Sequence, residues 1–344
     1  MGMNERKQII KSIEDRRGSK VICYLTSDRP NIPTIPNMMA LNQMQKSILP
    51  IINEHLRDKK TYKSIDVFIF THGGDTLAGF GLSRLLREYS ENVNVFIPDC
   101  CHSSGTLFAL GANKIHMSKG ATLSPIDPSI TGPLNPAVQS NPVSAPQLIP
   151  LSVESVAGYY DLISKSWRVN NRDDLLKVLA EKVHPLALGD VYRCRQQIEM
   201  LATQLLEQHR KDKRNIIRIV QRLTKGLGSH DYLIYYKEAK SLLGNQVVCD
   251  EEIDGLTYDL YKEFTKEMEL GVTFNPAAIL SKVKPSNTTT IDVNLSMIES
   301  LQSTHVAKQK FEITENTITL QTPIGVQQQK QILQNILSSE WVKI

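Results

Sequence analysis

The chain has 344 residues, 41% hydrophobic and 22% charged, an ordinary globular composition long enough for one large domain or two modest ones. Its formal net charge is only +4, with Lys and Arg interspersed among acids, so the basic stripe of a nucleic-acid binder is missing and no nucleic-acid partner is expected. No apolar run approaches the roughly 18 residues of a membrane span, and "MGMNERKQIIKSIEDRRGSK" lacks the apolar core of a signal peptide, so a cytoplasmic protein without a transmembrane segment is expected.

In chain order, residues 20–25 ("KVICYL"), 65–71 and 93–97 ("VNVFI") are short β-branched or aromatic runs bounded by turn residues, the pattern of buried strands. Between the last two, "DTLAGFGLSRLLREY" carries Leu77, Phe80, Leu82, Leu85, Leu86 and Tyr89 at helical spacing, with Asp75 as a cap. A second unit follows, with a helix over 103–111 and a strand over 114–117, so residues 20–130 predict an α/β region with a mainly parallel sheet. Prolines 125, 128, 133, 136, 142, 146 and 150 then exclude both helix and central strand, predicting an arm over 125–150.

Residues 152–168, 172–183, 187–210 and 213–225 show helical patterning, a helical insert, and 236–244 and 256–270 add two shorter helices. From 285 onward, "TTTIDVNL" and "KFEITENTITLQTP" alternate around a Glu-Asn pair, predicting a small hairpin turning at Glu315–Asn316 before a last helix. The organisation expected is a main domain over 1–284 and a small C-terminal extension over 285–344.

The five cysteines (Cys23, Cys100, Cys101, Cys194, Cys249) form no C-x-x-C pair, which argues against a disulfide framework and a structural zinc site, and no spaced ligand set predicts a metal. Cys100, Cys101, His72, His102 and His116 read as packing residues, and Asp75 and Asp99 as caps or turn carboxylates. No G-x-G-x-x-G follows a strand, so no nicotinamide cofactor is expected, nor any other.

Two turns sit where a strand ends and a helix begins. Gly73 and Gly74 let the backbone turn sharply and present N–H groups, and Ser103 and Ser104 open the next helix, where free N–H groups favour developing negative charge. Singly each reads as a tight turn or a cap; together they supply a nucleophile and backbone donors at one sheet edge.

The blocks "DVFIFTHGGDTLAGFGLSRLLRE", "VNVFIPDCCHSSGTLFALGANKIHM", "GATLSPIDPSITG" and "GLGSHDYLIYYKEAKSLLGNQV" resemble, in order, those of the serine dehydrogenase proteinase family, a branch of the Clp peptidase/crotonase superfamily related to signal peptide peptidase A. The resemblance covers about residues 20–250. It implies a Clp peptidase/crotonase-like fold of repeated ββα units, a serine peptidase activity on peptide or protein substrates, and a homo-oligomer. The superfamily's Ser-x-Gly triplet selects Ser103 as nucleophile, with the Ser104 N–H and that of Gly73 or Gly74 as the oxyanion hole. Ser104 departs from the small apolar residue usual at that position.

Alignment through the Glu-Ala pair sets Asp231 at the triad aspartate, while "SPIDP", with Asp127, lies where the Clp histidine would be. Three bases stay open: His230 with Asp127 or Asp231 as orienter, which is favoured; Lys119 in a Ser-Lys dyad; or none. A catalytically silent peptide- or protein-binding scaffold and, less favoured, acyl-CoA chemistry are the competing functions.

Overall fold

The computed structural model describes residues 2–35, 40–127, 129–139, 146–167, 172–322 and 325–344. Pro128 and Pro142 of the expected arm, residue 168 of the first insert helix and Pro323 of the expected hairpin lie outside the described residues.

The strands, in chain order, are β1 (Lys20–Thr26), β2 (Ile65–Phe70), β3 (Val93–Ile97), β4 (Cys100–Cys101), β5 (Lys114–Met117), β6 (Thr122–Leu123), β7 (Ser129–Ile130), β8 (Ala137–Val138), β9 (Gln147–Leu148), β10 (Leu151–Ser152), β11 (Ile234–Tyr235), β12 (Val247–Val248), β13 (Thr288–Glu299), β14 (Thr304–Thr322) and β15 (Gly325–Lys343). The helices are α1 (Gly2–Arg17), α2 (Ile48–Leu56), α3 (Thr76–Tyr89), α4 (Ser104–Leu110), α5 (Val153–Asp161), α6 (Arg172–Lys182), α7 (Pro185–Glu207), α8 (Lys213–Lys225), α9 (Tyr236–Leu243), α10 (Glu251–Met268) and α11 (Pro276–Ser281).

An eight-stranded sheet runs β12-β5-β3-β2-β1-β13-β14-β15. The first five strands are parallel and the last three antiparallel. The parallel strands are buried on both faces, which explains their near-continuous apolar runs. Strand alternation sorts β1: Ile22 and Tyr24 pack with α2, α3, α4, α7 and α8, while Val21, Cys23 and Leu25 face α1 and α10. Among the described residues no helix is long and apolar enough to cross a membrane.

The expectation for the C-terminal segment needs correction. β14 runs straight through Glu315 and Asn316, and residues 325–343 form an edge strand, not a last helix. Ile332, Leu333, Ile336 and Leu337 have helix-compatible spacing, but burial in a small core around Phe274, Leu280, Phe311 and Ile313 decides otherwise. A register shift opposite Lys310/Phe311 leaves Leu337 unpaired and exposed, so that Trp341 falls on the same face as Ile332 and Ile336. The segment from 285 extends the central sheet through the β1–β13 pair. The arm contributes two short ribbons, β7 with β10 and β8 with β9.

Side chains bind the sheet's antiparallel part to the rest. Arg6, 1% exposed, reaches Glu299, 0% exposed, through an Nε–Oε2 contact of 2.6 Å, and Thr304 Oγ1 donates to the other carboxylate oxygen at 3.0 Å. His55 at the end of α2 joins Ser300 Oγ at 2.7 Å and His305 Nδ1 at 2.9 Å. Burial, then the neighbouring His305, pull the His55 pKa down to about 4; burial does the same to His102 and His116. The unfolded chain takes up these protons near 6.5, before the folded chain does, so stability is lost as pH falls from about 6.5 to about 4 and levels off below. Urea midpoints measured across that window should fall with a steep slope, shallower in His55→Asn; an unchanged slope in the variant would contradict the assignment.

Candidate active site

β2 ends at Phe70, and Thr71 makes a bridge to Cys101 of β4 before the chain turns at Gly73 and Gly74. Both glycines have positive φ, +102° and +147°. The segment holding Met44 crosses this turn: Met44 N–H donates to Gly73 O and Asp75 N–H to Met44 O, each at 2.8 Å. A Cβ on Gly74 would lie 2.4 Å from Met44 O, and one on Gly73 would lie 2.7 Å from Ser103 Cβ. Glycine is therefore imposed twice, by torsion and by contact. Asp75 then caps α3, accepting from Leu77 N–H at 2.8 Å.

Ser103 stands between β4 and α4 at φ 52°, ψ −116°, a conformation that costs a non-glycine residue about 1–3 kcal/mol. Ser124, just after β6, holds this turn by accepting the Ser103 N–H at 2.8 Å, and its own N–H donates to Thr106 Oγ1 at 3.1 Å. The strained strand-to-helix turn leaves the Ser103 hydroxyl partly exposed and without a hydrogen bond among the described residues. The Ser104 hydroxyl differs: it is 2% exposed and points at Met44 Sδ, 3.7 Å away. Of the amides around Ser103, that of Gly73 is engaged by Thr71 Oγ1 at 3.1 Å, whereas those of Gly74 and Ser104 carry no hydrogen bond among the described residues.

A three-stranded mini-sheet, β11-β6-β4, gathers the remaining blocks. β4 leads into Ser103, β6 leads on to Asp127, and β11 follows His230. His230 Nδ1 lies 2.9 Å from the buried Asp127 Oδ1, and that hydrogen bond raises the His230 pKa above its ordinary value. A carboxylate only accepts, so Nδ1 carries the proton and Nε2 is the basic nitrogen. Ser103 Oγ and the His230 ring are not hydrogen-bonded to each other in this chain. The Asp231 side chain is exposed and its N–H is held by Ser229 Oγ. Lys119 is exposed beside Cys249, just past the ends of β5 and β12.

A cleft of roughly 440 Å³ opens beside Asp127 and His230, walled by Pro125, Glu154, Leu223 and Lys225. Sequence reasoning missed Met44 and Ser124, which no motif marks, and read His72, Cys100 and His102 as packing. The structure brings those last three together at the strand ends next to Ser103, with His72 Nε2 3.8 Å from Cys100 Sγ.

Residues 1–141 match the model of a family described as ClpP-like SDH-type serine proteinase. The matched stretch contains Gly73, Gly74, Ser103, Ser104 and Asp127 and ends before His230. The chain is thus similar to that family over this part, and its mixed α/β architecture around a large sheet agrees with a ClpP-like fold. Two uncharacterized proteins of Methanocaldococcus jannaschii are similar: MJ0137, 27% identical over 261 residues, 75% of this chain and 79% of that one, and MJ1495, 32% identical over 130 residues, 37% and 42% respectively. Among solved structures, a 1510-N membrane-bound stomatin-specific protease aligns with TM-score 0.37 and 12% identity, covering 64% of this chain and 79% of that one. A probable enoyl-CoA hydratase/isomerase from Mycobacterium abscessus aligns with TM-score 0.25 and 9% identity, covering 59% and 84%.

The crossing at Met44 yields a direct test. Gly74→Ala should lower stability by about 2 kcal/mol or more, measured by urea unfolding, because the methyl group meets backbone. Gly120→Ala, where a Cβ meets open space, should stay within about 0.5 kcal/mol; equal effects at the two positions would refute the contact argument.

Proposed function

We propose that the protein is a serine peptidase that uses Ser103 as nucleophile, His230 as general base, Asp127 as the carboxylate that orients it, and the Gly74 and Ser104 N–H groups as oxyanion donors. The observation that carries this reading is the Ser103 turn: a strained, partly exposed serine at a strand-to-helix junction beside two unengaged amides. In the reaction Ser103 Oγ attacks the peptide carbonyl while its proton passes to His230 Nε2, and the oxyanion falls to the two amides. His230 then returns the proton to the leaving amine, and water repeats the sequence on the acyl-enzyme. Asp127 is preferred to Asp231 because it is the one hydrogen-bonded to the ring.

Ser103 and His230 must approach one another for this chemistry, and catalytic hydrogen bonds commonly close only with substrate bound. That same separation favours the second reading, a peptide-binding scaffold without turnover. A fluorophosphonate probe separates them. Labelling should vanish in Ser103→Ala, persist in Ser104→Ala and slow by about a hundredfold or more in His230→Ala. Labelling that survives Ser103→Ala sinks the peptidase assignment, and absent labelling with retained peptide binding selects the scaffold.

The pH profile supplies a second check. A base must be neutral, so hydrolysis of a denatured casein should rise with pH through the raised His230 pKa. Asp127→Ala removes the interaction that raises it, so the limb should move to lower pH while the maximum rate drops; a limb that stays put would exclude the pair.

Trp167, Leu176, Leu186 and Tyr192 expose large apolar surface on and beside α6 and α7, which supports assembly into a homo-oligomer through the helical insert. Light scattering should return a multiple of the 38.7 kDa chain mass, and a monomer at all concentrations would overturn this part.

A further inference from the structure

We infer that His72, Cys100 and His102 form a binding site for a zinc-type divalent transition-metal ion, one residue ahead of Ser103. The three residues come from the ends of two strands: His72 lies two residues past β2, Cys100 opens β4 and His102 directly follows it. One ligand atom from each lies within 4.8 Å of the others, and His72 Nε2 to Cys100 Sγ is 3.8 Å. Zinc bonds of about 2.0–2.3 Å in a tetrahedron separate their ligand atoms by roughly 3.3–3.7 Å, so this pair is already near its bound spacing. Asp28 stands beside His72 but outside this group of three. Its Oδ1 accepts the Gly271 N–H at 2.8 Å, and its Oδ2 faces His72 Nε2 at 4.0 Å.

Other features fit a ligand set better than simple packing. His102 Nε2 lies 2.8 Å from Thr122 Oγ1, the outer hydrogen bond that fixes a ligating imidazole and leaves Nδ1 for the ion. The half-exposed His72 opens the cluster to solvent, giving an entry path. Cys100 is the demanding ligand: it must bind as a thiolate, so the ion displaces the Sγ proton into solvent, and affinity must rise with pH. A borderline-soft ion suits one thiolate and two imidazoles, which excludes magnesium and calcium. Once bound, the ion ties the ends of β2 and β4 together and immobilises the residue before the Ser103 turn.

Cobalt(II) makes the site visible, because a thiolate–cobalt bond gives a charge-transfer absorption that zinc displaces. The titration uses the full chain carrying Cys194→Ser and Cys249→Ser, which removes the two partly exposed cysteines elsewhere. One equivalent of cobalt should bind with that band, more tightly as pH rises. Cys100→Ser should abolish the band, and His72→Gln should weaken binding by roughly tenfold or more. Should Cys100→Ser disturb the fold by circular dichroism, His72→Gln alone carries the test, its side chain being half exposed. A band that persists without Cys100, affinity indifferent to His72→Gln, or no binding by the unsubstituted cluster would overturn the inference.

Discussion

Everything at the candidate site depends on one close approach of backbone to backbone, where the Met44 segment crosses Gly73 and Gly74. The two hydrogen bonds of that crossing fix the glycine turn in a conformation that no other residue adopts without strain. Because Gly73 in turn lies against the Cβ of Ser103, the serine turn is seated on the glycine turn, and the two amides that remain open are positioned by the same contact. The strain at Ser103 is held from outside: Ser124 takes its N–H, Thr106 takes that of Ser124, and Gly105 N–H closes onto His102 O. This is strain over-determined by its surroundings, as an active-site turn requires.

The second requirement is convergence across a long chain. Parallel strands of the main sheet bring the glycine and serine turns to one edge, but they cannot bring Asp127 or His230. The three short strands β4, β6 and β11 do so, with only two residues each. Cys100 and Cys101 matter as part of this construction: they carry β4 between Thr71 on one side and β6 on the other.

How much of this was legible in the sequence depends on whether the signal was local. Buried parallel strands announce themselves by composition, so β1, β2, β3 and β5 were readable, as were α3 and α4, Asp75 as a cap and the insert helices. α1 was not, because its charged surface dilutes Ile10 and Ile13 and it buries Arg6 besides. α2 carries an internal proline at residue 50 that hides it. The last strand was misread because its apolar residues are spaced for a helix until a bulge, visible only in the pairing, shifts them. At the site, Gly73, Gly74, Ser103 and Ser104 were marked by glycine and serine at a strand's end. The choice between Asp127 and Asp231, and the gathering of His72, Cys100 and His102, needed the tertiary fold, since nothing in spacing relates strand ends that are far apart in the chain.

The Arg6–Glu299 contact joins residues 293 positions apart, and the strand that Glu299 ends is the second neighbour of β1. A growing chain therefore holds β1 with one edge unsatisfied, and a guanidinium without its carboxylate, until the segment through Glu299 has been made. The segment beyond 285 is peripheral by resemblance but central by assembly order. The central sheet, whose β2 leads into the glycine turn, is closed on that side only once β13 is made, so until then the nascent chain depends on protection against edge-to-edge association.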